Sequence, residues 1–197
     1  MSLLPNGRPR LSRADAVALA IAHWHKHRPG KAMPLTIVLA IRGYYGATFA
    51  PEGNNVGVYD DFMAIMTKDD FTTWNANTDP SRYGWNAGAG KFMARLQPGI
   101  WDFVRLKHHA SRPDGYMAFG QGENPVVVER IDRDGSVKQT ERGCFGINLH
   151  RGGRERTSSE GCLTIPAEQW TFFDSTLVKA IMATNKFPLL LVDQSHA

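Results

Sequence analysis

The stretch Gly143-Cys144-Phe145-Gly146-Ile147-Asn148-Leu149-His150-Arg151-Gly152-Gly153, continuing through Arg154-Glu155-Arg156-Thr157-Ser158-Ser159-Glu160-Gly161-Cys162-Leu163-Thr164-Ile165-Pro166, is where fold and chemistry meet in this chain. A short apolar run ends on a histidine, a polar loop follows, and apolar sequence resumes at a cysteine. The β-branched and aromatic character of Phe145 to Leu149 predicts a strand, and Cys162 to Ile165 predicts the start of a second strand packed beside it. Gly152 and Gly153 let the loop between them reverse direction. That path returns Cys162 to His150, placing a thiol beside an imidazole that can take its proton; the thiolate, not the thiol, is the nucleophile. Gly161 permits a sharp turn before Cys162, which would aim the Gly161 and Cys162 amides at a developing oxyanion.

Taken in order, His150, Ser159, Gly161 and Cys162 resemble the catalytic signature of the L,D-transpeptidases: a histidine, a loop, then Ser-His-Gly-Cys and an arginine. Two positions depart from that pattern. Glu160 stands where the family has its second histidine, and Leu163-Thr164 replaces the arginine segment. The loop is also short, with Cys162 only 12 positions after His150, and such Ser-x-Gly-Cys forms look like those of phage proteins and of bacterial toxins that attack peptidoglycan. Upstream, Ile41-Arg42-Gly43-Tyr44-Tyr45-Gly46, Tyr59-Asp60-Asp61, Asn75-Ala76-Asn77-Thr78-Asp79-Pro80 and Leu96-Gln97-Pro98-Gly99 are similar to phage-encoded proteins with the same ending. The resemblance implies a mainly β fold with flanking helices (α+β), of the L,D-transpeptidase β-sandwich type. It also implies that the Arg151 backbone carbonyl orients the imidazole and that Ser159 fixes the loop by hydrogen bonding. With the family arginine absent, Arg151, Arg154 or Arg156 would anchor an anionic substrate group, and Glu160 would orient a water or face solvent.

At 197 residues the chain is long enough for a single well-buried domain, and one domain over 1–197, with 1–11 as an irregular N-terminal arm, is expected. A hydrophobic share of 42% and a charged share of 21% are ordinary for a globular protein, while 19 Gly and 11 Pro point to many turns and much β-structure. The formal charge of +4 is too mild and scattered to indicate nucleic acid, yet suits an anionic polymer such as a cell wall. No window has the length of a membrane span, and the Ala16 to Ala22 run is too short for a leader. The protein is therefore expected to be made in the cytoplasm without a signal peptide. Phage lysis or a secretion system would deliver it to the periplasm or cell wall.

Cys144 and Cys162 are the two cysteines. A lone bridge is seldom required at this size, so reduced thiols are expected, with a Cys144–Cys162 disulfide as the alternative. Cys144 reads as a small buried residue beside Phe145.

Elsewhere, Ser12 with Asp15 three positions later predicts a capped helix with Val17, Leu19-Ala20-Ile21 and Trp24 on its apolar face, stopped by Pro29-Gly30. His23 and His27 on it have metal-sharing spacing, but no Cys, Asp or Glu nearby completes a site, so a solvated cationic end, with no metal and no cofactor, is expected. Strands are predicted over Pro34 to Ile41, Gly57 to Met66, Phe71 to Asn75 and Trp101 to Leu106, a turn at Leu96 to Ile100, and a loop over Gly84 to Gly90. Asp60 and Asp61, adjacent on a strand, face opposite sides, so a structural or substrate-contacting role for one of them is expected rather than a carboxylate pair. His108-His109, at a strand end, read as exposed rather than catalytic, with a place near the cleft as the alternative. Ser111 to Asn124 reads as a flap over the site, with the aromatics of Tyr116 to Phe119 either covering a substrate stem or packing in the core. Pro125 to Asp132 and Ser136 to Thr140 form a hairpin around Asp134-Gly135, Ala167 to Asn185 a helix, and Phe187 to Val192 a last strand.

The function expected is a cysteine-dependent hydrolase or transpeptidase acting on peptidoglycan stem peptides, with hydrolysis favoured. A non-catalytic phage or cell-wall binding module on the same fold is the alternative. A thiol-redox role ranks last because Cys144 and Cys162 lack Cys-x-x-Cys spacing.

Overall fold

Ser12 starts the first helix as its spacing to Asp15 predicts. Its Oγ accepts the Asp15 N–H at 3.2 Å and donates to the Asp15 carboxylate at 2.6 Å. Helix α1 runs Arg13–His27 and ends before Pro29. It buries Ala16, Ala20 and Trp24, whereas Ile21 is exposed. The buried stripe is thus narrower than the predicted face, and its two alanines bring the helix close to the sheet. The computed structural model describes residues 10–46, 57–81, 92–154 and 157–194. The predictions for 1–9 and for Gly84 to Gly90 lie outside the described residues.

The strands are β1 Ile37–Arg42, β2 Asp61–Met66, β3 Phe71–Ala76, β4 Met93–Leu96, β5 Gly99–His108, β6 Tyr116–Gly120, β7 Val126–Ile131, β8 Val137–Gly143, β9 Asn148–Arg151, β10 Leu163–Ile165 and β11 Lys186–Asp193. Helix α2, Ala167–Ile181, joins β10 to β11. Eight strands form one mixed sheet in the order β10-β9-β6-β5-β11-β1-β2-β3, and β4-β7-β8 form a second sheet. The protein is therefore mainly β with two flanking helices among the described residues.

The large sheet curls until its edges meet. Asn77, just after β3, donates its N–H to the Thr164 carbonyl at 2.9 Å, and Thr164 on β10 returns one to Asn77 at 2.8 Å. Side chains alternate between the two faces. One face carries Val38, Ala40, Met63, Trp74, Phe103, Phe119, Leu149, Leu163 and Leu189 and packs on Trp170, Phe173, Leu177 and Ile181 of α2. The other carries Leu39, Ile41, Phe62, Ala64, Leu190 and Val192 beneath α1.

The predicted hairpin is β7–β8, with Asp132 and Ser136 closing the turn and Gly135 at φ 82°. Two expectations in the strands are corrected, the flap and the start of β9. Tyr116 to Gly120 is no flap but strand β6, hydrogen-bonded between β5 and β9. The turn expected at Leu96 to Ile100 is the link through Gln97 and Pro98 from β4 to β5, strands that belong to different sheets. Strand β9 begins at Asn148 rather than Phe145, because the Gln121 side-chain carbonyl takes the N–H groups of Phe145 and Ile147 at 3.0 and 2.9 Å and holds that segment outside the ladder. No described helix is long and apolar enough to cross a membrane.

Candidate active site

Strands β9 and β10 run parallel, with Leu163 opposite Leu149 and Thr164 opposite His150. Since Leu149 and Leu163 enter the core under α2, alternation puts Asn148, His150, Cys162 and Thr164 on the opposite face. His150 and Cys162 line one cleft of about 690 Å³. Cys162 stands one residue before β10, half-buried, and His150 is 5% exposed.

The His150 ring is oriented by backbone. Its Nδ1 lies 2.9 Å from the Arg151 carbonyl oxygen. A carbonyl only accepts, so Nδ1 carries the proton and Nε2 keeps the free lone pair. Tyr116 donates its hydroxyl to the same carbonyl at 3.3 Å, beneath the Arg151 guanidinium 5.2 Å from its ring centroid. The expected orienting role of the Arg151 carbonyl thus corresponds to a hydrogen bond in the fold, while the Arg151 side chain lies over Tyr116.

The predicted proximity of Cys162 and His150 holds at the level of a shared cleft. Among the described residues no hydrogen bond joins the thiol to the imidazole. Cys162 Sγ accepts the Asn148 N–H at 3.4 Å and donates toward the Gly146 carbonyl at 3.6 Å.

Ser159 fixes the loop. Its Oγ accepts the Gly161 N–H at 3.0 Å and donates to the Cys162 carbonyl at 2.5 Å, while its backbone is held by Ser81 on both sides. This corrects the expected pair of oxyanion donors, because the Gly161 N–H is already committed to Ser159. The Cys162 N–H has no partner among the described residues and remains the candidate. Gly161 itself is required: its φ is 146°, and a Cβ there would collide with the Ala94 carbonyl.

His108 departs from the exposed reading and takes the alternative, a place in the cleft. It is 7% exposed rather than exposed at a strand end, and its ring stacks on His150 at 4.1 Å and 14°. Its Nδ1 meets the Asn148 side-chain nitrogen at 3.0 Å. Small residues on the intervening strand make room; a Cβ on Gly120 would overlap the Asn148 side chain. Cys144 is likewise corrected: it is exposed, and both cysteines are free thiols.

Burial dominates the electrostatics. It pushes His150 down to about 3, with neighbouring His108 adding to the effect and the Arg151 carbonyl opposing it. It holds His108 down at about 4, helped by His109 and Arg112. It raises the Cys162 thiol to about 11, against the Asn148 N–H and with Glu160 adding to the rise. At neutral pH the resting site is a thiol beside two neutral imidazoles.

The predicted substrate contacts divide. Glu160 is exposed and lines the cleft. Arg154 is exposed but is not among the lining residues, and Arg156 lies outside the described residues. The cations that do line the cleft are Arg112 and Arg130, neither anticipated. Arg130 is bound to Glu141 at 2.7 Å and lies over the Phe145 ring; Arg112 forms no ion pair among the described residues. No described cluster of His, Cys, Asp and Glu has the makings of a metal site, and His23 and His27 simply stack at 6.0 Å on α1.

Compared with protein-family models, with curated proteins and with solved structures, the chain matches none.

Proposed function

We propose that the protein is a cysteine-dependent acyltransferase of L,D-transpeptidase type, built on a variant of that β-sandwich, that cleaves peptidoglycan stem peptides. The observation that carries the reading is the tautomer of His150. Its Nδ1 proton is committed to the Arg151 carbonyl, which leaves Nε2 as a base in the cleft that Cys162 also lines. Because burial keeps thiol and imidazole neutral, the thiolate forms together with attack rather than beforehand. Substrate binding turns the thiol from the Gly146 carbonyl to His150 Nε2, the sulfur–carbon bond forms as the proton moves, and the Cys162 amide supports the oxyanion. Collapse expels the amine, which takes the proton from His150 and leaves a thioester.

Hydrolysis of the thioester is favoured over crosslinking. The short loop between His150 and Cys162 offers little with which to shape an acceptor site, and Glu160, exposed in the cleft, can orient a water. Delivery to the periplasm or wall would come through phage lysis or a secretion system. Purified sacculi incubated with the protein should release shortened stem peptides identifiable by mass. With a defined donor peptide and excess amine acceptor, the shortened peptide should exceed the crosslinked one; a dominant crosslink refutes the hydrolase preference.

The resting bond from the thiol to the Gly146 carbonyl favours a second reading, a wall- or virion-binding module with no chemistry. Sacculus binding unchanged in Cys162→Ala, with no peptide released by the unmodified protein, would select it.

A further inference from the structure

His108 and His150 lie ring on ring, yet their hydrogen bonds place their protons on different nitrogens. His150 Nδ1 faces a carbonyl at 2.9 Å and must donate. His108 Nδ1 faces the amide nitrogen of Asn148 at 3.0 Å and must accept, so in neutral His108 the proton is on Nε2. Burial keeps both rings neutral near pH 7. Asn148 ties the arrangement to the nucleophile, since its side chain orients His108 while its backbone N–H contacts Cys162 Sγ at 3.4 Å. His108 lines the same cleft as Cys162 and His150.

We propose that His108 is a further catalytic residue of this site, a neutral imidazole that donates a hydrogen bond from Nε2 to the carbonyl oxygen of the scissile amide while His150 acts as the base. The assignment rests on the cysteine acyl-transfer reading above. As sulfur bonds to the carbonyl carbon, the thiol proton passes to His150 Nε2 and the carbonyl π pair moves onto oxygen. That oxygen is held by the Cys162 amide and by His108. When the carbon–nitrogen bond breaks, the pair returns to re-form the carbonyl, and the leaving amine takes the proton from His150. His108 keeps its own proton throughout. This supplies the second oxyanion donor that the Gly161 amide, bound to Ser159, does not provide. Two like groups are thereby given different tasks by their surroundings.

The test pairs nitrogen-15 NMR of the imidazoles with kinetics on a stem peptide. At pH 7 the unmodified protein should show His108 protonated on Nε2 and His150 on Nδ1. His108→Phe, which keeps a stacking ring but has no donor, should lower kcat about 100-fold with little change in KM. His108→Gln, which can accept from Asn148 and still donate into the cleft, should recover most of that loss. His108→Gln should melt with the unmodified protein, His108→Phe should melt lower because Asn148 loses its acceptor, and the alkylation rate of Cys162 should match the unmodified protein in both variants. A proton on His108 Nδ1, a cationic His108 at pH 7, or full kcat in a folded His108→Phe overturns the proposal. Should His108→Phe fail to fold, a folded His108→Gln slowed about 100-fold overturns the assigned donor. Correct tautomers in a protein with no Cys162-dependent turnover would instead overturn the acyl-transfer reading and the role with it, while leaving the tautomer pair itself established.

Discussion

One face of the large sheet serves two purposes at its two ends. Register carries the face of Leu190 and Ile100 along β5 to His108, and through Gly120 on β6 to Asn148 and His150 on β9. Over β1, β2 and β11 that face is apolar and sealed by Ala16, Ala20 and Trp24 of α1. Over β5, β6 and β9 it is lined by two imidazoles, an amide and a tyrosine, and opens into the cleft. The difference shows where the chain accepts a cost. Unpaired buried polar groups are destabilising, and much of the polar end is paired: Asn148 on His108, the Arg151 carbonyl on His150, Ser159 on the cysteine loop; the buried Thr164 hydroxyl, which has no hydrogen-bond partner among the described residues, is the exception on this face.

Substitutions should separate the two ends. The largest effect is expected for Cys162→Ala, which should lower turnover by at least about 10⁴-fold while changing stability by less than about 1 kcal/mol, because one sulfur leaves a half-buried position at the cleft. Leu39→Ala, in the sealed half and fully buried, should reverse the pattern, costing about 2–5 kcal/mol of stability with kcat per folded molecule unchanged. Turnover assays and denaturant melts on the two variants are the check. Comparable activity loss in both would dissolve the distinction between a structural and a chemical end.

A smaller effect comes from acid. His150 and His108 are held at about 3 and about 4 in the folded protein, whereas in the unfolded chain they take up protons near pH 6.5. Between those limits the unfolded state binds more protons, so their contribution is intact above about pH 6.5 and is lost as pH falls toward 4 and 3. Asp61 opposes this. It is buried beside Asp79 and raised to about 7, so the folded state holds its proton more tightly than the unfolded state between pH 3.8 and 7, and its contribution weakens as pH rises through that window. The net slope is therefore a competition, and comparison with His150→Gln isolates one side of it. The variant should lose less stability than the unmodified protein between pH 6.5 and 4; parallel curves would mean that the imidazole is protonated in the fold.

What was legible in the sequence is local. The Ser12 cap, the Asp134-Gly135 hairpin and the return of the chain from His150 to Cys162 each rest on contacts between near neighbours, and each appears in the structure. The burial of His108 and its stacking on His150 were not legible. Its surroundings come from β9, forty positions away, through a β6 whose polar, glycine-bearing flanks read as a flap. Periodicity along one segment carries no record of which strand lies beside it. The same holds for Gln121, whose side chain keeps Phe145 and Ile147 out of the ladder, and for Arg112, which a turn beyond β5 brings to the cleft that the loop arginines were expected to supply.

The smallest expected effect sharpens the contrast between the two thiols. Cys144 is exposed just after β8, its sulfur 3.5 Å from the Glu123 carbonyl, whereas burial raises Cys162 to about 11. A catalytic cysteine paired with an imidazolium would be the faster of the two to alkylate, since alkylation follows the thiolate fraction. Here the resting pair is neutral, so iodoacetamide at pH 7 should label Cys144 first, and Cys162 should lag until the pH rises toward its own value. Mass spectrometry of peptides over a time course reads both sites in one sample, and Cys144→Ala removes the competing signal. Adding a stem peptide that positions a carbonyl without being cleaved should not hasten labelling, because the proton leaves sulfur only as the sulfur–carbon bond forms. Faster labelling of Cys162 than of Cys144 in the free protein would show a preformed thiolate and would replace concerted transfer to His150 with an ion pair already present at rest.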